Sequence, residues 1–218
     1  MMEIKVLKEI LSTNNQVAAQ NRILLEQKKI LAVNLMSSPG AGKTTFILAT
    51  AAALKGKARV GVIEGDVSSS IDTEKISQAG MDAIQINTGG ECHLDAGMVH
   101  AALQNLPLDD IDILFIENVG NLICPGDFDL GEHLKVVISS TPEGDDKPHK
   151  YPLLFTIAHG IIINKIDLLP YVSFSQEAFT GAVQGMNGKA ALFPVSGATG
   201  EGIPKWADWL LEKRRSLA

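Results

Sequence analysis

The run Ile30-Leu-Ala-Val-Asn-Leu-Met36 passes directly into Ser37-Ser-Pro-Gly-Ala-Gly-Lys-Thr44, which opens an alanine-rich stretch ending at Leu54. An apolar strand, a glycine-bearing turn and a helix in immediate succession leave few architectures open. A strand without polar alternation is expected to be covered on both faces. A helix that follows at once serves as the crossover to a parallel neighbour.

The same alternation continues along the chain. Further strands are expected at Arg59 to Ile63, Ala83 to Ile86, Ile113 to Ile116, Lys135 to Ile138, Gly160 to Ile163 and Ala191 to Val195. Helices are expected at Thr44 to Leu54, Ile71 to Ala79, Leu94 to Leu106, Gln176 to Gln184 and Pro204 to Arg215. Short Val- and Ile-rich runs alternating with amphipathic stretches define an α/β fold, a doubly wound and mostly parallel sheet with flanking helices. Residues 1–29 read as an N-terminal helical extension, with Ile4, Leu7 and Leu11 on one face and a polar break at Ser12-Thr-Asn-Asn15. Residues 30–218 form the main domain. The segment Ser140 to Pro152 is charged and proline-bearing, and is expected to be a mobile or partner-contacting loop.

With 218 residues, 45% of them hydrophobic, the chain is long enough to bury a core without staples. Its net charge of -6 is spread along the chain, which predicts neither a nucleic-acid binder nor a basic membrane face. No apolar run reaches the roughly 20 residues of a membrane span. The first ten residues lack the apolar core of a secretory signal, so a cytoplasmic location is expected. In that reducing setting, Cys92 and Cys124 point to metal or redox chemistry rather than a structural disulfide.

Ser37 to Thr44 matches the phosphate-binding pattern G-x-x-x-x-G-K-[ST], except that Ser37 holds the place of the first glycine. Gly40 and Gly42 allow the backbone of Ser38, Pro39, Gly40, Ala41, Gly42, Lys43, Thr44 and Thr45 to wrap phosphate oxygens at a helix N-terminus. Lys43 is the cation for the outer phosphates, and the Thr44 hydroxyl is a ligand for Mg²⁺. Carboxylates for that ion are expected at neighbouring strand ends. Glu117, followed by Gly120, has the form of a γ-phosphate sensor, with Asp66 and Asp72 next in rank. One of these two orients the attacking water and the other contacts Mg²⁺, and the residues alone leave both assignments open.

A later strand delivers Asn164-Lys-Ile-Asp167, the N-K-x-D pattern. An Asp carboxylate accepts from guanine N1–H and the 2-amino group, which adenine does not offer in that arrangement. Left unpaired and buried, it would cost about 3–5 kcal/mol. Asn164 and Lys165 support the loop and cover the base, and Ser196, Gly197 and Ala198 follow a strand as a second backing loop. The nucleotide expected is therefore GTP.

The runs NLMSSPGAGKTT, EGDV, TGGECHLDAGMV, LFIENVGNLICP, YPLLF and INKIDLLP together resemble the HypB family of SIMIBI-class P-loop GTPases, across almost the whole chain from Asn15 onward. The most specific pieces are Cys92-His93 and the stretch from Asn118 to Cys124-Pro125. The resemblance implies a SIMIBI-type G domain and a GTPase that assists nickel insertion into [NiFe]-hydrogenase. It also implies a Ni²⁺ or Zn²⁺ site at Cys92, His93 and Cys124, near a nucleotide-dependent homodimer interface. Partners implied are a HypA-like nickel chaperone and the hydrogenase large-subunit precursor. Thiolate and imidazole are ligands that both ions favour. His100, seven positions after His93, is either a further donor or a solvated side chain.

Two departures stand out. The Cys-x-x-Cys-Gly-Cys and histidine-rich segments found near the N-terminus of some members are absent from these residues. His159 also stands where an Asp often precedes the base-binding strand. Competing readings are a related metal-insertion GTPase for urease or a cobalamin enzyme, and a metal carrier whose nucleotide only controls dimerisation. The urease-side relative carries a Cys-Pro-His motif that this sequence lacks.

Overall fold

In a computed structural model, residues 6–66 and 71–217 are described. The elements run α1 (Val6–Gln27), β1 (Leu31–Ser37), α2 (Lys43–Leu54), β2 (Val60–Asp66), α3 (Ile71–Gln78), β3 (Asp82–Asn87), α4 (Ala96–Leu103) and β4 (Ile113–Glu117). They continue with β5 (Leu134–Ser140), α5 (Lys147–Lys150), α6 (Pro152–Ile157), β6 (Gly160–Asn164), α7 (Gln176–Met186), β7 (Ala191–Pro194) and α8 (Ile203–Arg215). All seven expected strands form, in one sheet of order β3-β2-β4-β1-β5-β6-β7 whose pairs are all parallel.

Every residue of β1, β4 and β6 is buried, as the unbroken apolar runs require. The edge strands β3 and β7 depart from that expectation and stay half-open, because each has a hydrogen-bonded neighbour on one side alone. Side chains alternate across the sheet. Leu31, Val33 and Leu35 join Phe46 of α2 and Trp206 of α8 on one face. On the other, Ala32 packs with Leu25 of α1 and Val99 of α4. Met36, Val137 and Ile161 join Phe155 of α6 and Phe179 of α7.

Two expectations need correction. No break interrupts α1 at residues 12–15. The polar side chain of Asn14 is instead spent on tertiary bonds, donating to Asp129 O at 2.8 Å and accepting from Ala96 N at 2.8 Å. Ile4 lies outside the described residues. The segment expected as a loop is folded into a turn at Thr141–Glu143, closed by a Ser140–Glu143 capping box, and into α5, with α6 following immediately. Among the described residues, no helix is long and apolar enough to cross a membrane.

Parallel pairing puts all the strand C-termini on one edge. The registers Leu35↔Glu117, Glu64↔Glu117 and Ser140↔Asn164 gather the polar strand ends there.

Candidate functional site: a nucleotide cleft and a thiol cluster

The turn after β1 closes around backbone. Gly40 and Gly42 take φ of 76° and 92°, in the left-handed region that side chains disfavour. A Cβ on Gly42 would stand 2.8 Å from Asn164 Nδ2, so the close approach of the two loops requires glycine. Asn164 Nδ2 donates to Ala41 O at 2.9 Å, and Lys165 Nζ donates to Gly40 O at 2.7 Å. The two loops expected at phosphate and base are thereby clipped together. Lys165 itself is left-handed, with φ 62°. Ser37 is fully buried and its hydroxyl accepts from Lys43 Nζ at 3.2 Å, a contact that a glycine there would lack.

Thr44 Oγ1 donates to Glu117 Oε1 at 3.1 Å. Glu117 is 4% exposed, and its other oxygen is buried without a hydrogen-bond partner. Desolvation pushes its carboxyl up to about 7, against the pull of Lys43. A divalent cation would meet the orphaned oxygen and hold the group ionised, which is the fit expected of a Mg²⁺ ligand. The cleft at this end holds about 310 Å³ and is lined by Pro39, Lys43, Glu64, Asp66, Asp72 and Glu117 among others. Asp72 pairs with Lys75 at 2.8 Å on the first turn of α3.

Glu64 is the residue that sequence reasoning passed over. It is 2% exposed, faces Glu117 across the β2–β4 pair and is hydrogen-bonded by the Thr73 hydroxyl. Burial pushes its carboxyl upward as well. The available signal was a charged residue inside an otherwise apolar strand, two positions before Asp66 and so on the same face.

At the base end, Asn164 Oδ1 accepts from Gly197 N at 3.1 Å, joining the N-K-x-D loop to the Ser196–Ala198 loop. Ser196 is fully buried and Ala198 exposed. Asp167 Oδ1 is buried with no partner, an acceptor of the kind a guanine edge would satisfy. Both ends of the cleft therefore present an orphaned carboxylate oxygen. His159 is remote from it, at the start of β6. Its Nδ1 accepts from Lys135 N at 3.0 Å, so it serves the sheet and not the base.

Beyond Glu117 the chain leaves the sheet and reaches Cys124. Cys92, His93 and Cys124 have donor atoms all within 4.8 Å of one another, the one such group among the described residues. Cys92 Sγ lies 3.0 Å from Cys124 Sγ and 3.7 Å from His93 Nδ1. The His93 ring packs at a tilt against Phe128, with 4.0 Å between centroids. Both thiols are free and Cys92 is exposed. The hydrogen bond to Cys124, with a smaller contribution from desolvation, pushes the Cys92 thiol up. A soft divalent ion suits this donor set. His100 is outside the cluster and half-buried. Its two ring nitrogens lie 2.8 Å from Asn21 Oδ1 and 2.9 Å from Gln104 Nε2.

Residues 31–194 match the family described as CobW/HypB/UreG, nucleotide-binding domain. The hydrogenase maturation factor HypB of Escherichia coli K12 is 45% identical over 98% of this chain and 73% of its own. A crystal structure of HypB from Helicobacter pylori in complex with nickel superposes with a TM-score of 0.90 at 35% identity, covering 94% of this chain and 96% of that one. A structure of the hydrogenase maturation factor HypB from Archaeoglobus fulgidus gives 0.87 at 40% identity, covering 95% and 100%. With residues 31–194 matching that family model and 45% identity to a HypB over 98% of its length, this chain belongs to the HypB family, within the CobW/HypB/UreG group of nucleotide-binding domains.

Proposed function

We propose that the chain is a GTPase whose hydrolysis times the delivery of nickel to a [NiFe]-hydrogenase. In this reading residues 30–218 are the G domain and 1–29 its N-terminal helical extension. The observation that carries it is the short run of chain from Glu117, with its orphaned oxygen in the cleft, to Cys124 in the thiol cluster. The two chemistries share one segment.

The Ser38–Thr45 backbone and Lys43 hold the phosphates. Asn164, Lys165 and Asp167 select guanine, backed by Ser196, Gly197 and Ala198. Thr44 and Glu117, with Asp72 or Asp66, hold Mg²⁺, which when bound neutralises charge on the phosphates. The remaining aspartate orients water. Glu64 stands opposite Glu117 at this end of the cleft. The nucleotide motifs supply no arginine finger, a group worth about 10³–10⁵ in rate, so turnover is expected to be slow.

The cargo is Ni²⁺, with Zn²⁺ as the competing ion, held by Cys92, His93 and Cys124. Delivery calls for a HypA-like nickel chaperone, the hydrogenase large-subunit precursor and a nucleotide-dependent homodimer, in the cytoplasm. No role with nucleic acid or membrane is proposed.

Phosphate release from GTP and from ATP, measured beside nickel binding by Cys92→Ala and Cys124→Ala, tests the reading. GTP-selective turnover with nickel binding lost in both variants is expected. Equal use of ATP, or undiminished nickel binding in both variants, would remove it. Light scattering with GDP and with a non-hydrolysable GTP analogue tests the dimer; an identical mass in the two states would leave the timer without its assembly step.

A further inference from the structure

Both loops that carry the metal donors are tied to one buried side chain at the end of β4. Asn118 follows Glu117 directly and is 1% exposed. Its Oδ1 accepts from Leu94 N at 3.1 Å and from Val119 N at 3.0 Å. Leu94 adjoins His93 and stands two positions after Cys92, while Val119 opens the segment that ends at Cys124. One carboxamide oxygen thus registers both donor segments against the residue after Glu117.

The other end of this carboxamide is anchored inside the protein. Asn118 Nδ2 donates to Asn34 Oδ1 at 3.2 Å, and Asn34 Nδ2 donates to Glu132 Oε1 at 3.4 Å. Glu132 Oε2 accepts from Leu130 N at 2.7 Å, and Lys135 Nζ stands 2.7 Å from Oε1. Asn34 and Glu132 are also buried. No water replaces a bond broken in such a chain, so its members hold discrete arrangements and resist gradual drift. On the cleft side, a Cβ on Gly120 would stand 3.0 Å from the Pro39 backbone, so the segment that follows Asn118 packs directly against the turn after β1.

We propose that Asn118 is the positioning residue that converts occupancy of the phosphate site into a change in the arrangement of Cys92, His93 and Cys124. This rests on the metal-transfer reading above. Asn121 offers a contrast. Its Nδ2 donates to Cys92 O at 3.2 Å and its Oδ1 accepts from Ile123 N at 2.9 Å, tying the two loops to each other at the surface with no link to Glu117. Asn121 supports the cluster in both nucleotide states alike, whereas Asn118 couples it to one.

The test is Ni²⁺ titration of the full chain, loaded with GDP and then with a non-hydrolysable GTP analogue, read by thiolate-to-nickel absorption. Circular dichroism serves as the check of folding. The unaltered chain is expected to show affinities about tenfold apart, within the usual span of coupling between sites. Asn118→Ser, whose hydroxyl is too short to reach Leu94 N, is expected to bring that ratio below about threefold. Asn121→Ala is expected to weaken nickel in both states by a common factor and keep the ratio. Asn34→Ala leaves Asn118 in place without its anchor, and is expected to lower the ratio part of the way. It carries the test alone if Asn118→Ser does not fold.

A full ratio retained in a folded Asn118→Ser, or in Asn34→Ala if that variant stands alone, overturns the proposal. So does a ratio of one in the unaltered chain that binds nickel normally, and in either case the metal site itself survives. Absence of any nickel–thiolate absorption in the unaltered chain removes the metal-transfer reading, and this proposal with it.

Discussion

The nucleotide cleft and the thiol cluster sit on the same run of chain but are built in opposite ways. Glu64, Glu117, Asn118 and Asn164 stand at the ends of paired strands and are all nearly inaccessible. Cys92 and His93 stand on a loop and Cys124 opens a short 3-10 turn, with Cys92 open to solvent and the other two half-buried. A cleft that discriminates between bases and orders a charged phosphate gains from burial, since weak screening strengthens each polar contact. A site that must surrender its ion needs an open path and donors free to separate. Register fixes the first site; side-chain hydrogen bonds from Asn118 and Asn121 hold the second.

The largest effect that would sharpen this contrast is in the cleft. Lys43→Ala is expected to lower GTP turnover by about 10²–10³, as for loss of one preorganised charge at a developing anion. Its nickel affinity with GDP bound should change little. Phosphate release and nickel titration on one preparation check this, and a parallel fall in both would mean that the two regions are a single structural unit.

Next, Asp167→Asn is expected to weaken GTP by about a hundredfold and to improve XTP, because the buried acceptor becomes a donor facing the 2-position of the base. Competition binding with the two nucleotides decides it. An unchanged preference for GTP would move base recognition away from this loop.

The thiol cluster should respond to pH. The Cys92 thiol is held above its ordinary range by Cys124, so at neutral pH it is protonated and nickel must displace that proton. Affinity is therefore expected to rise as pH increases toward the thiol's raised pKa, and to flatten above it. The slope is about tenfold per pH unit for each proton released. A flat titration between pH 6 and pH 8, on the order of the range where thiols compete with protons, would mean that the thiols are not the ligands.

The smallest effect belongs to the clamp on α1. Asn21 is fully buried, donates to Ala96 O at 2.9 Å and Leu130 O at 3.0 Å, and has His100 Nδ1 2.8 Å from its Oδ1. Asn21→Ala is expected to cost about 1–3 kcal/mol in a urea unfolding titration, through carbonyls left without partners. Both carbonyls lie in segments that lead away from the donor loops, so nickel binding should loosen slightly while GTP binding holds. Loss of GTP affinity would show that α1 braces the cleft as well.

Much of the fold was legible because its signals are local. Unbroken Val and Ile runs mark strands that are covered on both faces, and all seven strands were found from them. Gly40 and Gly42 announced a turn that only a backbone without Cβ adopts. Asn164 and Asp167 were singled out by spacing alone, and the structure sets Asn164 against the turn after β1. The misreadings share a cause. Ser12 to Asn15 reads as a helix break because Asn and Ser compete locally for backbone bonds. What keeps α1 continuous lies far along the chain, at Ala96 and Asp129. The turns within residues 140–157 escaped notice for a similar reason: Ser140 and Glu143 cap a single short turn, too brief for any periodicity.

The alternation of strands and helices, the glycine-bearing turn after β1, the N-K-x-D run and the two thiols and imidazole in polar segments can be read from the chain alone. Each is written in a few neighbouring residues and needs no knowledge of strand order. Tertiary structure alone decided which of those residues meet. The central place of β1, between β4 and β5, sets Asn34 between Asn118 and Glu132; the pairing of β2 with β4 sets Glu64 opposite Glu117. It also brings Cys92 within 3.0 Å of Cys124 across 32 positions of chain. Such meetings depend on the order in which strands pack, which no local pattern specifies.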